Sequence, residues 1–447
     1  MSKPEHEKAL SYLESFVDYE RKAPEKYDKR TYSLARTKKL LNYLGSPHNS
    51  IKAIHIAGTN GKGSTGAMLT SILKESNLRA GFYSSPHLVS FRERIRIGEE
   101  LISEEEICTL LKDVKAAVEK LKKHSSETPS FFEVYTALAF LYFANKEVDF
   151  AVLEVGMGGR LDATNVVKPE VSVFTDIDID HTGELGTTRL EIAREKSGII
   201  KQGVPVITTA QEEDVLSVIF ETCKEKNCAM TEVRMGNDSP GVTGLRRIHL
   251  EEKAVSLEGC KFRAYGTQNS YGVLSTSLLG AHQIPNAGLA LCCAEHLGIV
   301  SDCIERGLGN TVWPGRIQLF PGNPPILLDG AHNPSAAGSL ASTIKRLFPG
   351  KKVILIFGVC SDKDINGVGK ELFPVADKII FTKADNPRAA GPSYLKKAFA
   401  RFDGNMQVTD SSVSALKTAL SESSANDLIC VAGSFFLVGE ILRHINP

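Results

Sequence analysis

Residues Gly58 to Ser64, Gly-Thr-Asn-Gly-Lys-Gly-Ser, set one lysine among small residues at a spacing suited to holding phosphate. Glycines let main-chain N–H groups approach phosphate oxygens, the N-terminus of a following helix adds free donors, and Lys62 adds positive charge. The spacing departs from G-x-x-x-x-G-K-[ST], because Ile56 stands where the first glycine belongs and Gly63 follows the lysine. The stretch reads as a variant phosphate loop; the plainer alternative is a glycine-rich strand-to-helix turn.

Further polar residues follow apolar, strand-like runs. Glu154 closes Ala151-Val-Leu-Glu-Val155 and precedes Gly156-Met-Gly-Gly-Arg160. A carboxylate buried there without a partner would cost several kcal/mol, roughly, so a metal ion, an arginine or backbone N–H groups must meet it. A dinucleotide fingerprint is rejected, since Leu161 replaces the third glycine. Asp176-Ile-Asp-Ile-Asp-His181 offers His181 as a ligand for a divalent ion, while Asp178 or Asp180 would also serve as a helix cap. In Ser84-Ser-Pro-His-Leu-Val-Ser-Phe-Arg-Glu-Arg-Ile95, Arg92 and Arg94 suit a carboxylated or phosphorylated substrate, or a solvated loop. Trp313-Pro-Gly-Arg316 and Asp329-Gly-Ala-His-Asn-Pro334 add polar groups in the second half, though turn chemistry explains the latter equally well.

The elements that must position these residues alternate. Ile51–Ile56 reads as a buried strand, and Thr65–Lys74 as a helix with apolar residues at 68, 69, 72 and 73. Strands are expected at 80–85, 150–155, 171–175 and 204–208. Helices are expected over 32–44, after the capping box Ser103–Glu106, around 131–143 and from near Thr188. Such alternation argues a mostly parallel sheet with helices on both faces. Residues 229–279 read as a small antiparallel insertion, followed by a helix over 287–296, and 304–312 as a linker. Alternation restarts at 325–328, 352–358, 378–382 and 428–432, giving a second doubly wound α/β domain. The expected division is 1–303 and 313–447.

The chain of 447 residues carries 53 basic and 53 acidic side chains, a balance that argues against binding nucleic acid through bulk charge. Neither a membrane span nor a signal peptide is expected from its apolar runs. Nine cysteines without any C-x-x-C pair point to reduced, mostly buried thiols in a cytoplasmic protein.

Taken together and in order, these segments resemble the folylpolyglutamate synthase and dihydrofolate synthase family within the Mur ligase superfamily. The resemblance runs from about residue 30 to 440, through Gly58–Ser64, Ser85–Ile95, Glu154–Asn165, Asp180–Lys201, Trp313–Gln318, Asp329–Pro334 and Gly433–Phe435. It implies an N-terminal P-loop ATPase domain that binds ATP and pterin, and a C-terminal Rossmann-like glutamate-ligase domain. It implies ATP phosphates on Gly58, Thr59, Asn60, Gly61, Lys62, Gly63 and Ser64, with Asn286, Arg316 and Asp329 as further nucleotide contacts. Ser85, Glu154 and His181 match Mg²⁺ ligands, and Lys196 matches a lysine that the family carbamylates; a monovalent cation is also allowed. Phe131, Phe132, Glu133, Leu161, Asp162 and Ala163 match the pterin side. Lys62, Lys196 and His181 are the residues implied in catalysis.

The chain carries Arg30-Thr-Tyr-Ser-Leu-Ala-Arg36 where dihydropteroate-using members tend to carry an acidic, Leu-Gly-rich stretch. Polyglutamylation is therefore implied more strongly than the dihydropteroate reaction. The chemistry implied is ATP-driven amide formation through an acyl phosphate, by a monomer acting on folate or dihydropteroate, L-glutamate and ATP, with no nucleic-acid or membrane partner. Two rivals remain: a Mur-type ligase acting on a cell-wall precursor, and a nucleotide-binding regulatory module without catalysis.

Overall fold

Ala53-Ile-His-Ile-Ala57 is buried at all five positions, so this strand needs a covering layer on each face. In the computed structural model, which describes residues 3–20, 32–125, 127–209, 212–236, 245–400 and 404–445, it receives both. Ile54 and Ile56 point into a core shared with Met68, Leu69, Ile72 and Leu73 of the helix Lys62–Glu75. Ala53 points the other way, toward the helices Glu104–Ser125 and Phe131–Asn145. The strand pairs in parallel with Phe150–Glu154 on one side and Val171–Phe174 on the other. Parallel pairing extends to Ala80–Tyr83 and, on the opposite side, to Val206–Thr209, Met230–Met235 and Arg246–Ser256. The sheet has eleven strands and becomes antiparallel only at its two ends.

A second sheet of six strands, in the spatial order 318–320, 326–328, 428–432, 353–357, 378–381, 405–408, is parallel except at Gln318–Phe320. Helices Pro334–Leu347 and Ile365–Leu372 cover one face, and Ser412–Glu422 with Phe435–Ile445 the other. The mostly parallel first sheet and the α/β second sheet agree with the fold class expected from the sequence.

Some local expectations need correcting. Residues 229–279 are continuous with the main sheet, and their antiparallel part is confined to Gly259–Tyr265 and Leu274–Thr276 beyond Arg246–Ser256. The expected linker at 304–312 is mostly helix, Ser301–Gly309, docked on Lys62–Glu75. Ile304 and Leu308 are buried there, and Gly307 brings the two backbones together; two glycines in nine residues hide the helical pattern from sequence. The helix expected over 32–44 spans Leu34–Tyr43, capped by Ser33, while Arg30 and Thr31 lie outside the described residues. None of the nine cysteines is in a disulfide, and only Cys228 is partly exposed. Among the described residues no helix is long and apolar enough to cross a membrane.

A Cβ at position 307 would lie 2.4 Å from the Ile72 Cα. Gly307→Ala is therefore expected to lower stability by about 1–3 kcal/mol, the usual cost of overpacking. Urea unfolding at unchanged m-value would measure it, and a cost under about 0.5 kcal/mol would remove this close approach from the account.

Candidate active site

The first strand delivers the chain to Gly58, whose φ of +150° and closeness to Thr175 exclude a side chain: a Cβ there would sit 1.8 Å from the Thr175 hydroxyl oxygen. Gly61, at φ +88°, is the N-cap of the helix Lys62–Glu75, and its Cα faces the Asn286 amide. The Lys62 ammonium turns back over the loop and donates to the carbonyls of Gly58 and Thr59, both at 3.1 Å. Lys196, buried on the helix Arg189–Ser197, donates to the same Gly58 carbonyl at 2.6 Å. Burial lowers the pKa of both amines, and the neighbouring Lys62 helps bring Lys196 to about 7.

Glu154, at the end of its strand, is 4% exposed and accepts one hydrogen bond among the described residues, from Ser85 N at 3.4 Å. Burial raises its pKa against the opposing pull of Lys62 and Arg316. His181 occupies a left-handed backbone position, φ 52°, ahead of the short helix Thr182–Leu185. Its ring is held neutral, first by desolvation and then by Lys363, although about a third of the side chain faces the cleft. Asp180 behaves oppositely. Burial would raise it, but Lys363 and the His332 hydrogen bond keep it well below the ordinary aspartate range. Its carboxylate pairs with Lys363 at 2.5 Å and lies 3.5 Å from His332 Nε2.

From the second sheet, Asp329 accepts from the N–H groups of Ile317 and Ala331, each at 2.8 Å. This clasp holds Ile317 at φ 45° and sends Arg316 over the Phe435 ring, 4.0 Å away. Asn333 caps the helix Pro334–Leu347 and donates across the cleft to Asn60 Oδ1 at 3.0 Å. Together these groups enclose a cavity of about 590 Å³ between the two sheets. Gly58–Ser64, Ser85, Glu154, His181, Lys196, Asn286, Arg316 and Asp329 all line it. Apart from Asn286 and Arg316, they lie at or beyond the C-terminal ends of parallel strands or on the helices that follow, where open α/β sheets bind ligands.

The pterin-side residues sit elsewhere. Phe131 and Glu133 are buried beneath the sheet, and Glu133 spends its carboxylate on Ser130 N and on Arg36, whose Nε lies 2.9 Å away. Phe132 is half-buried, packed on Gly156 and Tyr83. Leu161, Asp162 and Ala163 form a buried turn in which Asp162 accepts from the N–H groups of Gly156 and Met157, both at 3.0 Å. None of these six lines the main cavity. Arg92 donates to the Ile102 carbonyl, and Arg94 is buried against Glu20, so neither faces open solvent as a free cation. Asp178 pairs with Arg189 rather than capping a helix. Sequence reading passed over Lys363 and Arg388, which also line the cavity. Lys363 follows the strand Val353–Phe357 within Ser361-Asp-Lys-Asp364, so the strand-end rule that singled out Glu154 would have found it.

A divalent cation fits the residues present. Among the described residues no three His, Cys, Asp or Glu side chains converge as a metal cage. Glu154 is nonetheless a buried, weakly partnered carboxylate, and Ser85 and a neutral His181 line the same cavity. Mg²⁺ needs few protein ligands beside phosphate and water.

Residues 56–294 match the Mur ligase middle domain, and 315–435 match the Mur ligase glutamate ligase domain. The dihydrofolate synthase/folylpolyglutamate synthase of Bacillus subtilis is 36% identical over 420 residues, covering 92% of this chain and 94% of that protein. The chain belongs to the folylpolyglutamate synthase and dihydrofolate synthase family. Within that family, the Thermotoga maritima folylpolyglutamate synthase structure is similar at TM-score 0.82 and 36% identity, covering 98% of this chain and 96% of that one. The Mycobacterium tuberculosis folylpolyglutamate synthase complexed with ADP and AMPPCP gives 0.86 at 30% identity, with 99% of each chain covered.

The lowered pKa of Lys196 has a signed consequence. Its unfolded value lies near 10.4 or so, so between about pH 7 and 10 the unfolded chain binds more protons. The penalty of burying the ammonium is full below pH 7 and fades as pH rises. Lys196→Met is therefore expected to gain Tm relative to the parent protein at pH 6 and to lose that advantage by pH 10, in CO₂-free buffer. A Tm difference independent of pH would mean that Lys196 titrates normally.

Proposed function

We propose that this chain is an ATP-dependent ligase joining L-glutamate to the carboxylate of a reduced folate, and of dihydropteroate, through an acyl phosphate. The observation that carries it is the pair of lysines at the Gly58–Ser64 loop, facing Arg316 in a cavity closed by the second sheet. A carboxylate is a poor acyl donor. Attack of its oxygen on the γ-phosphate of ATP forms the acyl phosphate and releases ADP; attack of the glutamate amine on the carbonyl then releases phosphate. Lys62 swings from the loop carbonyls to the phosphate oxygens, where Lys62 and Arg316 offset charge on the transferred phosphoryl group. Asn286 holds the loop from below, and the Asn60–Asn333 contact keeps the cleft shut, excluding water from the acyl phosphate.

Ser85, Glu154 and His181 would hold Mg²⁺, which supplies further neutralisation of the phosphates when bound. A neutral Lys196 amine at physiological pH is the form that carbamylation requires, and a monovalent cation is the remaining cofactor we assign. The acceptor side we assign to Phe132 and the 156–163 turn, backed by Phe131 and Glu133. We assign ATP and pterin binding to residues 1–303 and the glutamate-ligase role to 313–447, in a cytoplasmic monomer.

The test is Mg-ATP-dependent ADP release with glutamate, comparing dihydropteroate with tetrahydrofolate. Turnover of both makes the enzyme bifunctional, and of tetrahydrofolate alone a polyglutamylating enzyme. Silence on both from protein that binds ATP favours a cell-wall ligase instead. Lys62→Ala is expected to fold normally and lose about 10²-fold in turnover, as for removal of one preorganised charge contact. Near-normal turnover would sink the phosphate role.

A further inference from the structure

Arg94 is the largest fully buried side chain among the described residues, at 0% exposure, although it ends a loop that borders the cleft. Its guanidinium is accounted for donor by donor. Nε donates to His87 Nδ1 at 2.9 Å, and the two terminal nitrogens grip the carboxylate of Glu20, one at 2.9 Å and the other closer still. The Phe131 ring lies 5.4 Å from it. Glu20 belongs to the N-terminal segment that follows the helix Lys3–Glu14, remote in sequence from the loop it holds. The backbone of Glu20 makes a further contact. Its carbonyl accepts from the Arg388 guanidinium at 2.7 Å, and Arg388, paired with Asp362, belongs to the second sheet's body.

Glu20 thus joins three parts of the molecule at one point: the N-terminal segment, the Ser84–Arg94 loop that carries Ser85, and the body across the cleft. Glu20 and Arg388 both line the cavity, with Ser85, Pro86 and Lys363. We propose that Glu20 is a positioning residue for acceptor binding: it fixes Arg94 over the acceptor-side Phe131 and holds the Ser84–Arg94 loop and Arg388 in register at one wall of the cleft. This rests on the ligase reading above. Neutralising Glu20 leaves a buried guanidinium half-paired, so the loop it anchors must shift toward water. Misplacement of a positioning wall by about 1 Å is enough to weaken binding and turnover many-fold.

The experiment is steady-state kinetics of Glu20→Gln and Glu20→Asp with tetrahydrofolate, ATP and glutamate varied in turn, beside Tm for each variant. Glu20→Gln is expected to raise the KM for tetrahydrofolate about ten-fold and the KM for ATP by clearly less, since the loop also carries Ser85. Glu20→Asp, which keeps the charge, is expected to recover part of that loss. In an Arg94→Met background Glu20→Gln should add no further change in acceptor KM; if that double variant does not fold, the Gln and Asp comparison decides alone. An acceptor KM within twofold of the parent enzyme, or equal rises for all three substrates with a lowered Tm, overturns the role of Glu20 and leaves the ligase reading intact. A parent enzyme idle with every folate acceptor overturns the ligase reading, and this inference with it.

Discussion

Two lysine side chains converge on one carbonyl oxygen, that of Gly58, and the rest of the cleft is arranged around this concentration of positive charge. Lys62 arrives from within the loop, but Lys196 must be brought from a helix that starts more than a hundred residues later. Close backbone contact does this. Gly159 lies against the carbonyls of Glu195 and Lys196, and Gly198 against the backbone of Arg160. Arg160 N donates to Glu195 O at 2.9 Å, and Asn165 Nδ2 reaches the Gly198 carbonyl at 3.1 Å. The Glu154–Asn165 and Arg194–Ile200 segments are therefore two halves of one support. A side chain at either glycine would move Lys196 off the loop.

The two acids of the cleft play opposite parts because their surroundings differ. Asp180 is ringed by Lys363, His332 and Asn333 from the second sheet's body, stays ionised, and acts as a latch between the two bodies. Glu154 has one long hydrogen bond and a raised pKa, so it is the carboxylate with capacity to spare for a cation. Arg316 reaches the same space only because Asp329 clasps the amide of Ile317 in a left-handed conformation. In the structure Asp329 therefore works through the backbone and through Arg316.

Much of this arrangement was legible in the sequence because it rests on rules with short range. Strand-end polar residues, glycine spacing and the capping box at Ser103 are all encoded within a few positions, and the central parallel strands are apolar runs. The strands Glu100–Leu101, Gln318–Phe320 and Asn405–Val408 were not, because edge strands are short and only partly buried. Burial of a charge is harder still to read. Arg94 and Glu133 have the composition of exposed residues, and only their partners, Glu20 and Arg36, each more than 70 positions away, make an interior place tolerable. For Arg94 the sequence left a substrate contact and a solvated loop open, and neither allows for this burial.

The charge pattern around Gly58 also explains why the cleft calls for both an anion and a cation. Burial lowers the two lysines and raises Glu154, each shift disfavouring the charged form. A phosphate group in the loop would favour the ammonium form of Lys62, opposing the effect of burial, but would repel the Glu154 carboxylate beside it. Glu154 would hold a divalent ion there, and its charge would ease that repulsion. The Asp180–Lys363 latch lies outside this exchange, because both of its charges are already paired and buried. On the proposed function, nucleotide and metal would share the interior of the cleft without disturbing the contacts that hold its two walls together.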